Sequence, residues 1–202
     1  MMTTRAAGRG RALPFVGLLL CLGFRLFGAQ DMALPSPLQY QLFLKILKYD
    51  RNLTAKMQTE LVIGVFYQSG FRTSQQAMEA FQETVRATAQ KEFPNVSIKA
   101  VPIDLDAGPD LENTLASGKV GLIYVAPLRG YDLKTITSLS HARKVITLTG
   151  VPEYAEKGLA VGVGLKGENP EIIINLPAAR EEGSDFSSSL LKLARVIEKS
   201  QE

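Results

Sequence analysis

Two stretches of the chain are apolar at nearly every position, and the rest of the pattern is arranged around them. Leu61 to Tyr67 (LVIGVFY) and Val120 to Ala126 (VGLIYVA) are continuous hydrophobic runs of strand length, as expected of central parallel strands buried on both faces. Around them the period changes. Met78, Phe81, Val85 and Ala89 recur at helical spacing after Thr73 or Ser74, predicting a helix that ends near Phe93-Pro94. Val96 to Ile103 and Val145 to Thr149 predict strands; Asp110 to Ala116, Leu133 to Ala142 and Pro152 to Glu156 predict helices. Upstream, Ser36 and Pro37 read as the cap and first turn of a helix with Leu38, Leu42, Ile46, Tyr49 and Leu53 along one side, ended by Asp50, Arg51 and Asn52. Strands alternating with helices imply right-handed crossovers and a largely parallel sheet covered on both sides.

The pattern changes after Leu159. In LAVGVGL, Leu159 to Leu165, large residues alternate with Ala160, Gly162 and Gly164. One face of this strand is nearly bare, which close packing by a helix explains most simply. Lys166 to Pro170 predicts a hairpin loop into Glu171 to Asn175, where Asn175 and Pro177 start a further helix. Gly183 breaks that helix, and Ser184 or Asp185 is placed to cap a last one with Phe186, Leu190, Leu193, Ala194 and Ile197 on one face. The expected fold is one α/β domain: a mostly parallel sheet flanked by helices in a Rossmann- or flavodoxin-like three-layer arrangement, with a C-terminal antiparallel hairpin and final helix.

Arg5, Arg9 and Arg11 precede the apolar run Leu13 to Phe24. This is too short to span a bilayer comfortably and has the basic-then-apolar order of a secretory leader. Residues 1–29 are therefore expected to be a signal peptide and residues 30–202 the working domain in the periplasm. An uncleaved anchor and, through Cys21, a lipoprotein are the rival readings.

The leader also owns the positive charge. The whole chain of 202 residues has 23 Lys and Arg against 20 Asp and Glu. Four of the basic residues (Arg5, Arg9, Arg11, Arg25) and no acidic ones precede Gln30, so taking four from 23 leaves 19 against 20, a net charge of −1. A nucleic-acid partner is not expected. Cys21 is the only cysteine, so the domain has no disulfide framework or thiol chemistry.

In an open parallel sheet the usual ligand site lies beyond the carboxyl ends of the strands. Those ends supply Gln68, Ser69, Asp104, Arg129 and Thr149 as candidate ligand-binding residues. Residues 68–74, QSGFRTS, could present backbone N–H groups to an anion, but they lack a phosphate-loop spacing, and a plain strand-to-helix turn is the simpler reading. Asp104, Asp106 and Asp110 lack an ordered set of metal ligands, and Asp110 suits a helix cap. His141 is the sole histidine, at a predicted helix end. No nucleophilic dyad, metal site, cofactor or enzymatic activity is expected. Asn175 and Arg180, with Leu190 and Leu193 behind them, are candidates for a partner surface; the plainer reading has Asn175 capping a helix and Arg180 pairing with an acid. Glu181 and Glu182 read as a solvated face.

The last stretch carries a resemblance. The order I-N-L-x-A-A-R at Ile174 to Arg180, a glycine turn, then S-S-x-L-L-K-L-A-R at Ser187 to Arg195 resembles the C-terminal signature of the YfiR/HmsC family of exported bacterial regulators. LFLKILKYDRNL, Leu42 to Leu53, resembles that family's opening helix. The resemblance covers roughly Pro35 to Ile197. It implies a periplasmic, non-enzymatic regulator that often dimerises and restrains an inner-membrane signalling protein: a GGDEF-type cyclase controlling cyclic-di-GMP and biofilm formation, or a sensor kinase. The best-known members have cysteine pairs, which this chain lacks. A small-molecule binding protein serving a transporter or receptor is the alternative.

Overall fold

The computed structural model describes residues 32–56, 59–88 and 93–199. The leader, Cys21 and Ala89 lie outside the described residues. The elements run α1 (Ser36–Lys48), α2 (Arg51–Lys56), β1 (Glu60–Tyr67), α3 (Arg72–Ala87), β2 (Ser97–Asp104), α4 (Leu111–Ser117), β3 (Val120–Val125), α5 (Leu133–Arg143) and β4 (Ile146–Thr149). They continue with α6 (Pro152–Glu156), β5 (Val161–Lys166), β6 (Asn169–Asn175), α7 (Leu176–Glu181), α8 (Ser188–Leu191) and β7 (Arg195–Ile197). Among the described residues the strands form one seven-stranded sheet in the order β2-β1-β3-β4-β5-β6-β7. The pairs from β2 to β5 are parallel, β5 and β6 are antiparallel, and β7 lies parallel to β6.

The two apolar runs explain the layering. In β1, Leu61, Ile63 and Val65 pack into one core while Val62 and Phe66 pack into the other; in β3, Leu122 and Tyr124 oppose Ile123 and Val125 in the same way. α1 and α3 cover the first face through Tyr40, Phe43, Leu47, Met78 and Phe81, and α5 and α6 cover the second through Ile136, Leu139 and Tyr154. On the first face Phe81 stacks on Tyr124, with ring centroids 3.9 Å apart, and Tyr40 meets Phe81 edge-on at 5.9 Å. The buried face of α1 is wider than the expected stripe: Tyr40, Phe43, Leu44 and Leu47 are buried together with Ile46; Leu38 and Leu42 pack partly buried against the same core, and Tyr49 is exposed. The helix stops at Lys48, and Leu53 reaches the core from α2.

The bare face of β5 is filled by α6. A methyl placed on Gly162 would come within 3.0 Å of the Ala155 Cβ, and one on Gly164 would run into the ring of Pro152. The hairpin is tighter than expected, with Lys166 paired to Asn169 and only Gly167 and Glu168 turning, Gly167 at a φ of 64°.

The final helix is much shorter than its periodicity suggests. Phe186 and Leu190 are buried, but Leu193 is 74% exposed and the stripe ends after the single turn of α8. The turn is capped by the Ser187 hydroxyl, not by Ser184 or Asp185. The chain then pairs Arg195, Val196 and Ile197 with Ile173, Ile174 and Asn175. Pairing the open side of β6 satisfies backbone groups that a longer helix would leave bare. Arg195 holds the strand in place, reaching Glu156 at 2.9 Å and Glu171 at 3.3 Å.

Gly164→Ala is expected to destabilise the fold by about 1–3 kcal/mol, because the Pro152 ring is fixed to the backbone and cannot swing aside. Urea denaturation would measure it, and an unchanged midpoint would mean that α6 does not rest on the strand.

Candidate functional site

With β1 between β2 and β3, the connections after β1 and β3 leave in opposite directions, and the crevice at their carboxyl ends is the place where such sheets hold ligands. The candidates Gln68, Ser69, Asp104 and Arg129 do converge there. They bind one another. The Gln68 amide donates to Asp106 at 3.0 Å, and its oxygen accepts the Arg129 N–H at 2.7 Å, bridging β1 and β3. The Gln68 N–H in turn donates to the Ser74 hydroxyl. The N–H groups of Ser69 and Gly70, which could have met an anion, donate to the carboxylates of Asp104 (3.1 Å) and Asp106 (2.8 Å). Partial burial pushes the Asp104 carboxyl up, but hydrogen bonds from Ser69 and Asp106 outweigh it and hold the group below its ordinary value. The chain's own carboxylates thus stand where a bound anion would stand. The Arg129 guanidinium lies over the Phe71 ring, 5.3 Å from its centroid. Asp110 caps α4 through the Asn113 N–H.

Thr149 belongs to a different place. It is fully buried, its hydroxyl donating to the Val125 carbonyl and accepting the Val151 N–H. Beside it the crevice is plugged from α1. Gln39 is fully buried, packs directly on Gly150, donates to the Leu34 carbonyl at 2.6 Å and accepts the Tyr124 hydroxyl at 3.1 Å. Nothing in the local sequence marks Gln39, because its partners come from residue 34 and from strands far along the chain.

The C-terminal candidates separate into two groups. Asn175 is buried and structural: its side chain caps α7 through the Ala178 N–H and donates to the Ala155 carbonyl. Leu190 is buried as well. Arg180 and Leu193 are exposed, and Arg180 has no ion-pair partner among the described residues. The expected acid for Arg180 is therefore not found there.

Glu182 overturns the solvated-face reading. It is 1% exposed and accepts the Thr147 N–H (2.7 Å), the Thr147 hydroxyl (2.7 Å) and the Ser140 hydroxyl (2.8 Å). Burial pushes its carboxyl up from 4.5 to about 8 against the hydrogen bonds that favour its charged form. A neutral acid suits the geometry, since Ser140 can pass its own proton to the Thr137 carbonyl at 3.0 Å and accept from Glu182. Glu181 is exposed, with its carbonyl bound by the Lys144 ammonium.

A family model described as YfiR/HmsC-like matches residues 37–195, nearly the whole of this architecture. The chain belongs to the YfiR/HmsC-like family. Its matched span starts in α1 and ends at the first residue of β7, so both ends of the sheet's closure lie within it. The family suggests a periplasmic regulator. Among the described residues no helix is long and apolar enough to cross a membrane. No curated protein matches the chain.

Solved structures share the fold at low identity. One is an ABC domain from Streptococcus pneumoniae in complex with L-Trp, at 18% identity and a TM-score of 0.55, covering 81% of this chain and 62% of that one. A second is a conserved domain protein from Vibrio cholerae, at 15% identity and a TM-score of 0.54, covering 80% and 60%. A third is the ligand-free, open structure of a Clostridium difficile substrate-binding protein with adhesive properties, at 14% identity and a TM-score of 0.53, covering 81% and 59%. The chain spans about three fifths of the length of these structures.

Because the folded Glu182 carboxyl holds its proton to about pH 8 whereas an unfolded one releases it near 4.5, the folded state binds more protons between those values. Stability from this group is therefore fully present below about 4.5 and is lost as pH rises towards 8. Glu182→Gln keeps the shape and cannot ionise. Chemical denaturation should show the variant gaining at least about 1 kcal/mol over the parent between pH 5 and pH 8; parallel curves would show that Glu182 does not titrate in that window.

Proposed function

We propose that the protein is an exported, non-enzymatic regulator that binds and restrains a membrane-bound signalling protein, a GGDEF-type cyclase or a sensor kinase. Residues 1–29 direct export, and residues 30–202 form the regulatory domain. The observation that carries this reading is that the polar groups of the crevice are bonded to one another. Gln68, Asp104 and Asp106 satisfy the groups with which the usual ligand site would work. That leaves the outer surface as the working part, as membership of a regulatory family favours.

We infer a partner surface along β6 and β7. Leu193 stands exposed beside Pro170 and Ala194 in a shallow groove with Lys166 and Lys192 on its rim and Arg195 already paired to Glu171. An apolar anchor beside two lysines suits a partner segment with an apolar side chain flanked by acids. Arg180, exposed near the end of α7, is a further candidate contact outside the groove lining; Asn175 and Leu190 act only by holding the segment in shape.

The shared fold with a substrate-binding protein favours a second reading, a small-molecule binding protein serving a transporter or receptor. That reading asks for an open crevice at Gln68 and Thr149.

A tagged full-length gene product, recovered from solubilised native membranes, should bring down a GGDEF-type cyclase or a sensor kinase. Leu193→Glu should abolish that capture without lowering stability, since the side chain is 74% exposed. Leu190→Glu would not serve, because burying a charge there unfolds the domain. Capture unaffected by Leu193→Glu would remove the surface from the proposal, and recovery of no signalling protein would favour the second reading.

A further inference from the structure

The sheet has another opening, at the end opposite the crevice around Gln68. A cavity of about 350 Å³ lies at the amino ends of β1, β3 and β4, between the end of α1 and the turn after α7. That volume is at the small end of the range for organic ligands. Its floor is apolar, formed by Leu53, Leu61 and Ile146.

The lip is built differently. The pairing of β1 with β3 slips between Val62 and Ile63, opposite Gly121, which bulges the strand where it borders the cavity. Lys119 and Lys144, with φ of 49° and 54°, are the two non-glycine residues in the left-handed region among the described residues, and both line this opening. Each sits in the turn that leads a helix into a strand. A left-handed lysine at two neighbouring turns is a conformation that glycine or asparagine would adopt more easily. Something other than the turn itself favours lysine there.

The charges around the cavity do not cancel. Its acids are already engaged: Glu60 pairs with Lys99, Asp50 accepts the N–H groups of Asn52 and Asp185, and Glu182 is held by Ser140 and Thr147. Two of its cations are engaged at the surface: Arg143 pairs with Glu112 and donates to its carbonyl at 3.2 Å, and Lys144 donates to the Glu181 carbonyl at 2.6 Å. Lys119 has no ion pair among the described residues; the acid whose field it shares, Glu60, is already bound by Lys99. Lys119 is therefore the loosely held charge beside an apolar floor.

We propose that this cavity binds a small organic carboxylate with an apolar body, its carboxylate at Lys119 and its body against Leu61 and Ile146. The site is separate from the surface around Leu193, so it stands or falls independently of the regulator reading, whose test is membrane-partner capture.

Isothermal titration of the full-length gene product with octanoate tests it, with inorganic phosphate and 1-octanol as comparison probes. Octanoate should bind saturably, and both comparison probes should bind at least tenfold more weakly, because each lacks one half of the recognition. Lys119→Gly removes the charge while suiting the left-handed backbone, so the fold is kept, which a thermal melt checks. It should weaken octanoate binding about tenfold, the loss expected for one charge-assisted contact. Three results would overturn the proposal: no saturable octanoate binding up to about 10 mM, a range that reaches well past a millimolar Kd; equal affinity in Lys119→Gly; or phosphate bound as tightly as octanoate.

Discussion

Asp50 is completely buried, and its Oδ1 accepts two backbone N–H groups, from Asn52 at 3.0 Å and from Asp185 at 2.9 Å, the second 135 positions away in sequence. Around this carboxylate the two ends of the fold are stitched together. Asp50 bridges to Phe186, the Arg51 and Ser187 N–H groups bond across the seam, Asn52 reaches the Gly183 carbonyl, and Arg51 pairs with Asp185 at 3.0 Å. A buried carboxylate without such donors would be costly, so the turn after α1 and the segment after α7 specify each other. The two stretches that carry the family resemblance, one near each terminus, are therefore two halves of one contact. Closing it joins distant parts of the chain, at the loop-closure entropy that such a contact costs.

The same economy of internal bonding governs the two ends of the sheet. At the carboxyl ends, polar groups capable of recognition are spent on one another: Gln68 on Asp106 and Arg129, Asp104 on Ser69, Gln39 on Tyr124 and Leu34. At the amino ends the acids are spent, and so are Arg143 and Lys144, leaving Lys119 as the lining cation without an ion pair among the described residues. Fold alone would direct attention to the first end, and the bonding directs it to the second.

What was legible in the sequence follows from how far apart the partners lie. β1 and β3 could be read because a strand buried on both sides needs no polar alternation, and the bare face of β5 could be read because a missing side chain implies a close neighbour. Gln68, Ser69, Asp104 and Arg129 were placed together by topology, but their mutual saturation depends on distances that no spacing reveals. Thr149 shares the strand end with them without sharing the crevice, because its hydroxyl turns to Val125. Glu182 gave no signal: a glutamate beside Glu181 and Gly183 looks solvated, and only Ser140 and Thr147, 42 and 35 residues upstream, make it an interior group. The last helix is shorter than its periodicity suggests because Phe186, Leu190 and Leu193 fit a helical stripe over a distance too short to exclude a turn followed by a strand.

That short last strand also bears on how copies of this chain behave towards one another in a crowded compartment. β6 without β7 would offer a row of open N–H and C=O groups to any extended peptide, and sheets with such borders recruit their own kind. Three residues, fastened by one arginine to acids on α6 and β6, close the carboxyl-terminal end of that border, at Ile173, Ile174 and Asn175. At the far side β2 is interrupted by Pro102, which has no N–H to offer, and carries Lys99. Both margins of the sheet are thus poor templates for runaway strand addition, and the chain can display an exposed leucine on its surface without inviting polymerisation through its backbone.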